Sequence, residues 1–189
     1  MDMTLLTQIV IAVATLFASL GGYLLAGLNE RRRDERTHLR ASESRRFERV
    51  AELDNESHAF QRDTLLSLQD ALQKMARLTG KAMHFDHMQA REGKYTQLPE
   101  GLSEEMLAAE VEVSRLTARV RDPQVRAAVK DLTELSAHLS TLPTDLQGLT
   151  GHNLECRGNA KLREFGDRYR AVAEVVGEAV RREIDWRPS

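Results

Sequence analysis

The chain begins with a run of 24 residues, Leu5 to Leu28, that carries no charge. No other feature constrains the fold as much. As an α-helix this run spans about 36 Å, enough for a hydrocarbon core of about 30 Å with some tilt. Its polar members, Thr7, Gln8, Thr15 and Ser19, can hydrogen-bond locally or to a partner. A cleaved signal peptide would carry a basic n-region, whereas residues 1–4 contain only Asp2. The run therefore reads as a retained transmembrane helix.

The basic residues set its orientation. None precedes the run, while Arg31, Arg32, Arg33, Arg36 and Arg40 follow it. By the positive-inside rule the N-terminus lies outside and the rest in the cytoplasm, a single-pass arrangement in the cell membrane. Those arginines would also meet anionic headgroups, with Glu30, Asp34 and Glu35 diluting the patch. Ala14, Ala18, Gly22 and Ala26 recur every fourth residue. Such a small-residue stripe lets two membrane helices approach closely, which makes a homodimer an expectation.

About 160 residues follow the span, enough for one modest helical core. Charged residues reach 30% and aromatics only 5%, which suits helices with solvated outer faces better than a β-sandwich. No Gly or Pro occurs between Asn29 and Thr79, so the helix is expected to continue beyond the membrane as a stalk. Apolar residues return at Phe47, Val50, Leu53 and Phe60. Leu65, Leu68, Leu72, Met75, Leu78 or Thr79, and Ala82 then follow in steps of three and four. That is a helical stripe, either a coiled-coil seam or a face packed on downstream helices.

Glu92-Gly93 through Gly101 reads as a loop. Ser103 is expected to cap the next helix, with Glu104 and Glu105 favoured by its dipole. Its buried face would hold Met106 or Leu107, Val111 or Val113, Leu116 and Val120. Asp122-Pro123 reads as N-cap and first residue of another helix, with Val125, Val129, Leu132, Leu135, Leu139 and Leu142 inside, closed by Pro143. Gly148, Gly151 and Gly158 weaken any helix over 144–159, so the last one is expected from about Asn159 to Asp185. Leu162, Phe165, Tyr169, Val172, Val176, Ala179 or Val180, and Ile184 mark its core side. The expected fold is all-α: a transmembrane helix (5–28) after a short extracytoplasmic end (1–4), a charged helical stalk (29–60), an antiparallel bundle of three to four helices (61–186) and a tail (187–189).

Chemistry-bearing residues are few. His84 and His87 are three apart and could share a metal on one helix face, but a zinc site needs further ligands. His152 and Cys156 are four apart, a possible ligand pair or Cys–His couple. Neither pair outweighs its ordinary structural explanation, so no catalytic residue, metal or other cofactor is assigned. Phosphate-binding loops, GxSxG and CxxC are absent from the sequence. The net charge of -2, and arginines interleaved with acids over 163–183, argue against a nucleic-acid groove. The single Cys156 excludes an internal disulfide.

The function expected is that of a non-enzymatic scaffold presenting a helical bundle to an unknown protein partner. The alternatives are a metal- or Cys-dependent hydrolase and an envelope or phage accessory membrane protein.

Overall fold

The computed structural model describes the backbone of residues 3–94, 96–141 and 144–187, and the side chains of 43–94, 96–140 and 145–187. Four α-helices account for most of it: α1 Met3–Arg91, α2 Leu102–Thr117, α3 Pro123–Thr141 and α4 Gly151–Asp185. A 3-10 turn, Thr144–Leu146, lies between α3 and α4, and no strand occurs among the described residues. The fold is all-α, as the periodicity predicts.

The chain divides into two compact units, Met1–Leu53 and Asp54–Ser189. In the first, the side chains of Phe47, Val50 and Leu53 are 77%, 57% and 59% exposed. The span Leu5–Leu28, its small-residue stripe and the arginines from Arg31 to Arg40 lie outside the residues whose side chains are described. Among the described residues, no helix is long and apolar enough to cross a membrane.

The second unit is the bundle. Along α1, Leu65, Leu68, Leu72, Met75, Leu78, Ala82 and Met83 are buried, the spacing of one helix face. They share one core with Leu102, Ala109, Val113 and Leu116 of α2, Val125, Val129, Leu132 and Leu139 of α3, and Phe165, Val172, Val176 and Val180 of α4. Full burial of each large side chain contributes about 1.5–3 kcal/mol by transfer from water. A smaller cluster of Ala90, Leu146 and Leu154 packs the 3-10 turn against α1 and α4.

Polar contacts give the direction of each helix. His58 meets Glu183 and Arg91 meets Glu155, so α1 and α4 run antiparallel in this unit. Gln61 meets the turn after α2, and Thr79 meets Ser136, so α3 runs with α1 and α2 against both. The topology is up-down-up-down, the arrangement that short connections between antiparallel neighbours produce.

Asp122 and Pro123 act as the sequence predicts. Asp122 Oδ1 accepts from the amides of Gln124 (2.7 Å) and Val125 (3.3 Å), and Pro123 opens α3. Burial opposes ionisation of Asp122, but those amides and Arg182 outweigh it and hold the carboxyl below its usual range. Three expectations fail. Ser103 does not cap α2: Gly101 holds that position at φ 80°, turning the chain so that Leu102 is buried. Ile184, expected on the core side, is exposed, whereas Met106 and Val113 take the inward places for which Leu107 and Val111 were the alternatives. The last helix starts at Gly151, two turns before Asn159, and Gly158 lies inside it. The closing residues Leu142 and Pro143 lie outside the described residues.

Candidate functional site

Besides the buried Thr79–Ser136 pair, polar clusters lie at each end of the apolar bundle among the described residues. The first joins the C-terminal end of α1 to the start of α4. Asp86 and His87 follow the buried face of α1 and are 7% and 5% exposed. The His87 ring lies directly on α4 at Gly158. A Cβ added there would stand 2.8 Å from three of its ring atoms. Glycine at 158 therefore makes room for the imidazole, which is why a residue that weakens helices sits within one.

His87 Nε2 has no hydrogen-bond partner, and Glu155 Oε2 is 3.5 Å away. That separation allows charge attraction but is long for a hydrogen bond. Glu155 is instead engaged by Arg91, whose Nε and Nη2 each donate at 2.6 Å. This fork holds the Glu155 carboxyl below its usual range. Beside it, Lys161 is buried on α4 with Nζ 3.4 Å from Asp145 Oδ2, and Arg157 reaches the same oxygen at 3.3 Å. Asp86, Lys161, Gly158, Met83, Leu139 and Leu146 line a cavity of about 10 Å³. That is about the space of one water-sized probe.

The second cluster lies at the opposite end. His58 Nδ1 is 2.5 Å from Glu183 Oε2, and its ring stacks on Trp186 with centroids 3.9 Å apart and planes at 18°. Arg182 donates to Asp122 Oδ2 at 2.6 Å, tying the end of α4 to the start of α3. Buried Gln61 donates to the Arg119 carbonyl (3.0 Å) and accepts from the Arg121 amide (2.9 Å). It thus satisfies two backbone groups of the α2–α3 turn. Apolar Leu65, Val120 and Ala179, together with these polar groups, line a cavity of about 240 Å³. Replacing Gln61 by Leu is expected to lower stability by about 1 kcal/mol, because Arg119 and Arg121 are exposed and water can take over part of the bonding. Urea unfolding followed by circular dichroism measures this; an unchanged midpoint would remove Gln61 from the account.

The structure separates the first histidine pair. His84 is exposed and His87 buried, so the two imidazoles do not face a common ligand. It brings the second pair together: Cys156 Sγ is 3.3 Å from His152 Nε2, both exposed on the first turns of α4. Arg157, adjacent to Cys156, turns to Asp145. Among the described residues, no group of three or more His, Cys, Asp or Glu side chains could hold a metal ion.

The residues that sequence reasoning passed over are Lys161, Asp145 and Gln61. One pattern pointed to Lys161. It is one of only five lysines, and it falls three residues after Gly158 and four before Phe165, on the inward stripe of α4.

No family model, no curated protein and no solved structure matches this chain.

Proposed function

We propose that this chain is a membrane-anchored scaffold or interaction protein. Leu5–Leu28 spans the cell membrane with the N-terminus outside, residues 29–60 form the stalk, and the bundle meets a protein partner on the cytoplasmic side. The observation that carries this reading is the pairing of an uncharged 24-residue run with a four-helix bundle in which Arg91 is bonded to Glu155 and Arg182 to Asp122. The uncompensated apolar side chains Phe47, Val50 and Leu53 on α1 support a contact with a second copy in the same membrane.

The single exposed cysteine makes the orientation testable. Cys156 is expected to react with a membrane-impermeant maleimide only after cells are permeabilised. Labelling in intact cells would place the bundle outside and sink the orientation. Self-association is expected as a dimer of the full-length chain in mild detergent by sedimentation. Val50→Glu should reduce the dimer fraction, and a wild-type chain that stays monomeric at high concentration would count against this contact.

A second reading, a Cys-dependent hydrolase, is favoured by the 3.3 Å approach of Cys156 to His152. It would require the thiol to alkylate faster than in the His152→Ala variant. Equal rates would remove it.

A further inference from the structure

The 3-10 turn Thr144–Leu146 is fastened to the bundle by charge. Asp145 receives Lys161 at 3.4 Å and Arg157 at 3.3 Å, both from α4. Leu146 is buried with Ala90 and Leu154, and its carbonyl accepts from the Leu149 amide at 3.2 Å. Lys161 also shares the walls of the small cavity with a second carboxylate, Asp86 of α1. One largely buried ammonium therefore stands near two carboxylates of unequal burial. The Asp145 side chain is 34% exposed, while Asp86 is almost wholly enclosed.

We propose that Lys161, between Asp86 and Asp145, is a pH-responsive latch that fastens the 3-10 turn to α1 and α4. Asp145, attracted first by Lys161 and also held by Arg157, ionises more readily than an ordinary aspartate. Burial pushes the Asp86 carboxyl up, and Lys161 pulls it only part of the way back. The charged group that faces Asp86 across the cavity is Lys161 on α4, while the 3-10 turn offers Leu146, α3 offers Leu139 and α1 offers Met83, all apolar. While Asp86 is neutral, the ammonium belongs to Asp145 and the turn is held by two cations. Once Asp86 ionises, it competes for Lys161, and Asp145 keeps Arg157 alone.

The two acids act in opposite directions. An acid held above its ordinary value stabilises the docked state while protonated, and that contribution declines as pH rises from the ordinary carboxylate value through the raised one. An acid held low contributes above its ordinary value and loses that contribution only as pH falls through its depressed value. The latch is therefore tightest in mild acid and loosens toward neutral and alkaline pH.

Amide hydrogen exchange at Leu149 in the full-length chain, corrected for intrinsic exchange, reads this directly. Protection is expected to fall roughly threefold or more as pH rises above the ordinary carboxylate range. Asp86→Asn should abolish the fall and keep the mild-acid level of protection throughout. Asp145→Asn should lower protection at every pH and move the remaining step to lower pH, because the ammonium is then free for Asp86. A pH-independent wild type would overturn the latch. A step that survives in Asp86→Asn would overturn it too.

Discussion

Gly158→Ala is expected to destabilise the bundle by about 2 kcal/mol, although alanine is the better helix former. In an unconstrained helix the change is stabilising, by roughly 1 kcal/mol. Here the new methyl would stand 2.8 Å from Cε1, Nδ1 and Nε2 of His87, a ring only 5% exposed and enclosed by the packing of α1 on α4. Either the ring or the helix spacing must give, the usual outcome when an atom is forced into a filled interior. Gly166, eight residues later in the same helix, is the control. Nothing lies within 4 Å of a Cβ placed there, so Gly166→Ala should raise stability by roughly 0.5–1 kcal/mol. Thermal unfolding of both variants measures opposite shifts in Tm. Combining Gly158→Ala with His87→Ala should recover most of the loss. No recovery in that double variant would show that the ring is not the obstacle.

Leu68→Ala is expected to cost about 2–5 kcal/mol, the largest effect of any single truncation considered. Leu68 is 0% exposed and is the second residue of the inward stripe of α1, facing a core fed by all four helices. Removing its terminal carbons leaves a cavity that no one helix can close by moving alone. Leu66, two residues earlier, is 44% exposed, and its truncation should change stability by less than about 1 kcal/mol. Chemical denaturation of the two variants tests the register of α1. Similar losses would mean that the inward face is assigned wrongly.

The helices themselves were legible because each carries its own periodicity. The stripe from Leu65 to Ala82 and the stop at Asp122-Pro123 are local patterns, and the structure follows both. What was not legible depends on residues far apart in the chain. Gly158 looks like a helix breaker until His87, 71 positions away, is placed against it. His84 and His87 look like a pair because they are three apart. The bundle edge falls between them, with one outside and one inside. Ser103 had the chemistry of a cap, but Gly101 reached the required turn first through its positive φ. Lys161 and Asp86 resemble the many solvated charges around them. Only the burial that α3 and the 3-10 turn impose gives them a special role.

The order of the helices along the chain has a consequence for biosynthesis. The inward face of α1 is made first, while its α4 partners, Phe165 to Val180, come about 100 residues later. At synthesis rates of about 5–20 residues per second, that face waits roughly 5–20 seconds for them. The hairpin of α2 and α3 emerges in between and is the first cover available to Leu65, Leu68 and Leu72. Gln61, which grips the turn of that hairpin, sits where the nascent chain would first close on itself.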